Sequence, residues 1–393
     1  MRLPYENITV VALEQAVAAP FATRQLADLG ARIIKIERPQ VGDFARRYDK
    51  TVKGQSSHFV WLNRSKESLT LNLKQHNAIT VLQQLLKDAD VFVQNLAPGA
   101  TQRLALDGDS LVKKYPRLIV CNISGFGVDG PYQNKKAYDL LVQAETGLLS
   151  VTGTEGMPSK TGISTADIAA GMYAFSGIQT ALFMREQSGT GTIIDVSMFD
   201  ALGEWMGYPA YYTAYGGETP KRTGSHHATI APYGPYKTRD GKTIMLGIQN
   251  EREWQSFCNV VLLKPELTNH PDFVNNSERV KHREELENII NQCFGRLDAQ
   301  DLVTGLDDAQ IANASLNTMQ QFWDHPQLKA RNRWRKLETP GGIIDTLLPP
   351  VNITNIDPKL TAVPAVGEHT RSILKELGYN EDDIDRLSGE NVI

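Results

Sequence analysis

The stretch Ser164-Thr165-Ala166-Asp167-Ile168-Ala169-Ala170-Gly171-Met172 places a single carboxylate at the head of a run of small residues. Ala170, Ala174, Gly177 and Ala181 follow at helical spacing, a stripe that lets a helix approach its neighbour closely. Asp167 then falls in the first turn. An acid there complements the helix dipole, worth about 0.3–1 kcal/mol, and the same field keeps the carboxylate ionised. An ionised carboxylate is also a competent nucleophile. Other chemistry-bearing residues are less organised. His226-His227 follows Gly224-Ser225 in a loop, and no further His, Cys or acid stands at metal-ligand spacing from it; a substrate contact is its remaining use. Asp139 and Glu145 are two carboxylates without a sign of acid–base work. Tyr208, Tyr211, Tyr212 and Tyr215 read as core or interface. The three cysteines, Cys121, Cys258 and Cys293, are odd in number and form no CxxC pair, so neither a disulfide framework nor a zinc site is indicated.

The elements that must position these residues alternate in type over the first 125 or so positions. Ile8 to Leu13 is an apolar strand-like run. Pro20 suits the first turn of a helix reaching about Leu29, and Gly30 suits its end. Ile33 to Ile36 is a second strand, and a strand, helix and strand in so short a span make a parallel βαβ unit. The pattern recurs with a helix near 77–87, a strand at 90–94, a helix near 110–115 and a strand at 118–123. A doubly wound α/β domain follows. The loop after the first strand, Glu14-Gln15-Ala16-Val17-Ala18-Ala19-Pro20, contains no glycine. The close backbone approach to a pyrophosphate that GxGxxG provides is therefore missing, which weighs against NAD or FAD. A strand at 193–197 closes this part. Residues 225–330 read as a separate α+β unit, with a strand Thr243–Gly247 and amphipathic helices such as Arg283–Cys293. Thr339-Pro340-Gly341-Gly342 is a turn, and a last helix spans about Thr370–Leu377. The expected division is 1–215, 225–330 and a return to the large domain at 331–393.

Length and charge bound the function. A chain of 393 residues is too long for one ordinary core and implies about two domains. Hydrophobic content of 41% and charged content of 22% are ordinary for a globular protein. The formal net charge of −4 argues against nucleic acid as the main partner. It leaves room for a phosphorylated small ligand, because screening confines distant charges to about 10 Å. No apolar run reaches the roughly 20 residues of a membrane helix, and Met1 to Glu6 does not read as a signal peptide. A reduced, cytoplasmic setting is expected.

Several ordered segments resemble the CaiB/BaiF family of class III CoA-transferases. They are Ala19-Pro20-Phe21-Ala22-Thr23, Leu26-Ala27-Asp28-Leu29-Gly30-Ala31 and Ile34-Lys35-Ile36-Glu37-Arg38-Pro39 with Gly42-Asp43. Asn63-Arg64-Ser65-Lys66, Leu71-Asn72-Leu73-Lys74 and Ala89-Asp90-Val91-Phe92-Val93-Gln94-Asn95 continue the order. Ser124-Gly125-Phe126-Gly127, Tyr138-Asp139 and the closing Gly367-Glu368-His369-Thr370 complete it. The matches run from residue 10 to about 200 and return at 367.

The resemblance implies a Rossmann-like, parallel-sheet large domain built from both chain ends, a smaller inserted α+β domain, and two chains interlocked as a homodimer. It also implies that Asp167 is the nucleophile, forming an aspartyl-CoA thioester by way of mixed anhydrides. The matching CoA positions are Gln15, Val17, Ala18, Arg38, Leu71, Lys74, Asn95, Leu96, Arg103 and Lys136; Val17 stands where some members carry a polar residue. Coenzyme A would enter as part of the substrate, with no metal and no tightly bound cofactor. Acyl-CoA and small dicarboxylic acids of the succinate or mesaconate type are the implied partners. Backbone N–H groups near Gly247-Ile248-Gln249-Asn250 are candidates for oxyanion donors. The family also holds acyl-CoA racemases, which carry a histidine just before the position of Asp139; this sequence has Tyr138 there. A non-catalytic CoA-binding protein is the third alternative.

Overall fold

The computed structural model describes residues 2–393, and these divide into two compact units. The first is a six-stranded sheet. Its elements are β1 (Thr9–Leu13), α1 (Ala18–Asp28), β2 (Arg32–Glu37), β3 (Lys66–Thr70), α2 (His76–Lys87), β4 (Val91–Gln94), β5 (Ile119–Ser124), α3 (Asp139–Glu145), α4 (Thr165–Ser188) and β6 (Ile193–Ser197). The strand order is 3-2-1-4-5-6, with every neighbour parallel. Val10 pairs with Ile33 on one side and Val91 on the other, so the order reverses between β1 and β4. Such a sheet opens a crevice outside the carboxyl ends of those two strands.

A parallel sheet is covered on both faces, so its strands alternate between two buried layers. Val11, Ile34 and Phe92 pack with Leu82 of α2 and with Ile373, Leu374 and Leu387 from the end of the chain. Val10, Ala12 and Ile33 are equally buried on the face that α1 and α4 cover. Those two helices meet closely because Gly171 has no side chain. A Cβ there would sit 2.7 Å from the Ala18 carbonyl oxygen.

The chain end returns along the outer edge of β3. Ser65 N–H donates to the Thr361 and Ala362 carbonyls, each at 3.1 Å, and Thr70 N–H donates to the Thr370 hydroxyl at 3.0 Å. Helices α5 (Thr370–Glu376) and α6 (Glu381–Gly389) follow, and Asn72 N–H is taken by the Val392 carbonyl at 2.8 Å. The strand edge is thus covered rather than left open to pairing with another chain.

The second unit comprises Gly147–Lys160 and Tyr208–Lys329. Its sheet joins β7 (Tyr233–Lys237), β8 (Thr243–Gly247) and β9 (Ala312–Ser315) in antiparallel order around central β8. This differs from the division expected from sequence, because Gly147–Lys160 and the residues from Tyr208 side with the smaller unit. The reason is local pairing: Gly153–Thr154 pairs with Met157–Pro158, Gly224 N–H donates to the Gly153 carbonyl at 2.8 Å, and Arg222 grips the Thr154 carbonyl at 2.9 Å.

Beneath the crevice of the first unit lies a buried cluster of charges. Lys35 and Lys66, on neighbouring strands, share Glu14: Lys35 Nζ approaches its Oε1 at 3.3 Å and Lys66 Nζ at 2.6 Å. Lys35 also donates to Asp43 at 2.9 Å, and Lys66 to the Pro20 carbonyl at 3.1 Å and Asn63 at 3.2 Å. Thr23 of α1 donates to the second Glu14 oxygen at 2.5 Å. All four charged side chains are out of water. Burial raises a carboxyl, yet Lys66 and Lys35 overcome it and hold Glu14 below its ordinary value. Burial draws Lys66 down to about 8 against the pull of Glu14.

This cluster explains why β3 escapes a hydrophobic pattern. Lys66 is buried against Glu14, just beyond β1, and Ser68 against Glu37 of β2, to which it donates at 2.6 Å. Replacing Lys66 by Met should destabilise the first unit by about 3–5 kcal/mol, because Glu14 loses its closest partner without leaving the interior. Urea denaturation measures this; a change below about 1 kcal/mol would show that the ion pair is not needed to keep Glu14 buried.

Candidate active site

Asp167 occupies the third position of α4, after Ser164, which makes no capping bond with its own side chain. The cap comes from elsewhere. Asp139, at the start of α3, accepts from Ala166 N–H at 2.8 Å and from Asp167 N–H at 3.4 Å. Its other oxygen accepts from Gln143 Nε2 at 2.7 Å, and Gln143 Oε1 accepts from Thr161 N–H at 3.1 Å. Asp139 therefore satisfies helix-end donors that the local sequence leaves open. It also sets a negative charge beside Asp167.

The electrostatic result differs from the expectation of a firmly ionised first-turn acid. Burial, and then Asp139, push the Asp167 carboxyl up to about 7, while the Ala18 N–H draws it partly back. Ala18 is the first residue of α1, so the positive ends of two helices converge on one carboxyl group. Desolvation and a like charge outweigh both dipoles. Tyr48 stands within electrostatic reach of Asp167. Burial pushes its hydroxyl up to about 12, with Asp43, Asp167 and Tyr138 adding to the shift, and its ring stands edge-on to His58 at 5.3 Å.

The loop after β1 carries Gln15 to Ala18 and is tied at each residue. Gln15 N–H donates to Asn95 Oδ1 at 2.9 Å, and Asn95 Nδ2 donates to the Gln15 carbonyl at 2.8 Å. Ala16, held at φ 61°, donates to Asp43 Oδ1 at 3.2 Å. The structure thus brings together Gln15 and Asn95, and Ala18 and Asp167. Val17 and Ala18 are buried, and the Leu71 side chain belongs to the apolar core, its N–H donating to the Glu37 carbonyl at 2.8 Å. Leu96 is half-buried against that core.

Arg38, Lys74, Arg103 and Lys136 follow β2, β3, β4 and β5 in turn, so all four leave the carboxyl edge of the sheet; all are exposed. None of them forms an ion pair among the described residues, whereas Lys35, Arg46 and Lys66 nearby are all paired. Unpaired cations along one edge are what a polyanionic ligand needs.

Other candidates resolve differently. The Gly247, Ile248 and Gln249 donors are engaged within the second unit: Gly247 is laddered to Tyr233 and Ala312, Ile248 N–H donates to the Pro232 carbonyl at 3.0 Å, and Gln249 N–H to Glu253 at 2.8 Å. His226 pairs with Glu287 at 3.0 Å, and His227 stacks on Tyr233 at 5.3 Å. The four tyrosines lie exposed on the helix Gly207–Gly216, with Tyr211 stacked on Tyr215; they are not core. Two features escape sequence reasoning: the capping role of Asp139, and the buried cluster. The second leaves one signal, a lysine inside the otherwise apolar strand Ile33-Ile34-Lys35-Ile36.

The profile of CoA-transferase family III matches residues 5–370. The acetyl-CoA:oxalate CoA-transferase of Acetobacter aceti is 33% identical, with 96% of this chain and 97% of that protein covered. The succinyl-CoA:glutarate CoA-transferase of Mus musculus is 31% identical over 99% of this chain and 90% of its own. A CaiB/BaiF family protein from Brucella suis superposes with a TM-score of 0.84 at 31% identity, covering 96% of this chain and 100% of that one. The chain belongs to CoA-transferase family III, and it is an enzyme that transfers coenzyme A between acyl-CoA and carboxylic acid substrates. Among the described residues no helix is long and apolar enough to cross a membrane.

Carboxyl-carbon NMR of labelled protein should show Asp167 titrating near pH 7, from the value of about 7 above. Asp139→Asn removes the negative neighbour and keeps an oxygen for the helix N–H groups, so the midpoint should move to lower pH. An unmoved midpoint would mean that the charge of Asp139 does not reach Asp167.

Proposed function

We propose that this enzyme moves CoA from an acyl-CoA to a small dicarboxylate through a thioester on Asp167. The observation that carries this reading is the placement of Asp167: a carboxyl at two helix N-termini, on the side of the sheet where unpaired Arg38, Lys74, Arg103 and Lys136 leave. A carboxylate oxygen of Asp167 attacks the thioester carbonyl, the C–S bond breaks, and a mixed anhydride and free CoA thiolate result. The thiolate attacks the aspartyl carbonyl and expels the donor acid, leaving aspartyl-CoA. The acceptor carboxylate displaces the thiolate, forming a second anhydride. The thiolate then takes the acceptor's acyl carbon and frees the Asp167 carboxylate. No proton is gained or lost in the sequence, so no acid–base partner is required, in keeping with Tyr138 in the racemase histidine position.

The Ala18 N–H, directed at the Asp167 carboxyl, supports a role in stabilising oxyanions formed there. A carboxyl poised near about 7 is a stronger nucleophile once ionised than an ordinary one. Because the ionised form reacts, kcat/KM for acyl-CoA should climb as pH rises through that range and then level. The cations sit remote from the reacting carbon and bind the nucleotide equally throughout the cycle. The dicarboxylate acceptor is supported by relatives named for glutarate, oxalate, citramalate and malate transfer. An interlocked homodimer in the cytoplasm completes the reading. The dimer is supported by the apolar side chains that α4 exposes, Met172 and Tyr173 and, three turns on, Phe183 at 68% and Met184 at 52% exposure.

Asp167→Ala should abolish transfer while CoA still binds. Wild-type enzyme given acyl-CoA and then borohydride should show a mass change on the Asp167 peptide, the thioester having been reduced to an alcohol. Turnover retained in the variant above about a tenth of wild type, some 1.4 kcal/mol in barrier, would sink the covalent role. Uptake of α-deuterium by a 2-methylacyl-CoA without labelling of Asp167 would indicate racemisation instead. Sedimentation equilibrium should give a dimer mass at all accessible concentrations, whereas a monomer would remove the interlocked assembly.

A further inference from the structure

The segment after the second unit holds three arginines at alternate positions, Arg331, Arg333 and Arg335. They lead into and along β10 (Trp334–Leu337), which pairs antiparallel with β11 (Ile344–Leu347). Arg331 precedes a turn in which Asn332 takes φ 48°, and Arg333 and Arg335 follow it on either side of Trp334. Lys336 points the other way and meets Asp345, its direct cross-strand partner, at 2.8 Å. The arginines have no such partner: none forms an ion pair among the described residues. The three instead line a cavity of about 310 Å³, whose other wall is the loop from Leu348 to Pro358.

The middle arginine is the informative one. Arg333 is 7% exposed, yet its guanidinium meets only neutral acceptors, Asn352 Oδ1 at 2.8 Å and the carbonyls of Leu348, at 2.9 Å, and Pro349. No acid among the described residues lies within ion-pair distance of it, so its charge is compensated by neutral dipoles alone. Burial and the adjacent Arg331 and Arg335 accordingly draw its pKa down. Asp357 is the sole acid in the lining, outside ion-pair distance of all three. Proteins commonly neutralise such clusters at once, as Lys336 and Asp345 do on the opposite face. Here the charge is retained and a cavity is kept beside it.

We infer that the Arg331–Arg333–Arg335 cavity is a binding site for a compact polyanion, one carrying at least two negative charges on phosphate or carboxylate oxygens. Planar guanidinium forks suit both groups. The volume admits on the order of ten water-sized groups, enough for a pyrophosphate or a tricarboxylate and too little for a whole coenzyme A. The site lies apart in sequence from Asp167 and from every cation assigned to CoA, and the inference does not depend on the covalent reading of Asp167.

Calorimetric titration of the wild-type enzyme with inorganic pyrophosphate and with tricarballylate tests this. At least one should bind saturably, and which one does separates a phosphoryl from a polycarboxylate ligand. Arg331 and Arg335 are exposed, so R331Q/R335Q should keep the fold by circular dichroism. It should weaken the bound probe at least about tenfold, or 1.4 kcal/mol, and leave CoA affinity unchanged. R333M would deepen the loss but risks the local structure, so the double variant decides. Absence of saturable binding by either probe, or equal affinity in wild type and R331Q/R335Q, overturns the assignment.

Discussion

Lys35 and Lys66 rise from adjacent parallel strands into a space from which water is excluded, and Glu14 stands between them. Ions removed from water lose several kcal/mol of hydration each, and only close, complete pairing restores it. Glu14 and Asp43 therefore have little freedom of position. Glu14 is the first residue beyond β1, and Asp43 lies in the loop beyond β2, so fixing these carboxylates fixes both loops. Ala16 accepts a positive φ because Asp43 holds its N–H, and Lys66 holds the first turn of α1 through the Pro20 carbonyl. The direction of the Ala18 N–H toward Asp167 is the end of that chain of constraints.

The cluster is internally balanced, two cations against two anions, and this shapes the site above it. No positive side chain is left over to stabilise the Asp167 carboxylate, and the charge that acts on it most strongly is negative Asp139. Two helix N-termini reduce the penalty but do not remove it. A carboxyl held this way is more basic than a free aspartate. Exposed Arg38, Lys74, Arg103 and Lys136, which follow β2 to β5, form no ion pair among the described residues, and the charges that shift that carboxyl do not include them.

Asp139 shows how one residue serves structure and electrostatics together. Ser164 would be an ordinary N-cap, yet it makes no capping bond, and the first N–H groups of α4 turn to a carboxylate 27 residues earlier. The cap anchors the helix that carries Asp167 and supplies the repulsion that raises it. Gln143 holds the second oxygen of Asp139, so the repelling charge cannot swing away.

Periodicity in the sequence was enough to locate β1, β2, β4, β5 and β6, along with α1 and α2, because their burial is apolar and leaves a local imprint. The stripe Ala170, Ala174, Gly177 and Ala181 likewise announced a closely packed helix, whose tightest approach to α1 falls at neighbouring Gly171, and the ordered motifs named the family. What stayed hidden was polar and nonlocal. β3 buries a lysine and a serine beside Leu69, satisfied by Glu14 just beyond β1 and by Glu37 of β2, and no window of sequence contains both partners. The small unit begins with Gly147–Lys160 because Gly153 is bonded to Gly224, a contact across some seventy residues. The sequence could report that arginines stood at 331, 333 and 335; only the packed loop shows that no carboxylate among the described residues pairs with them. The ionisation of Asp167 was decided in the same way. Helix position alone lowers an aspartate, whereas the tertiary structure buries it beside Asp139, and desolvation with like-charge repulsion exceeds what a helix dipole supplies.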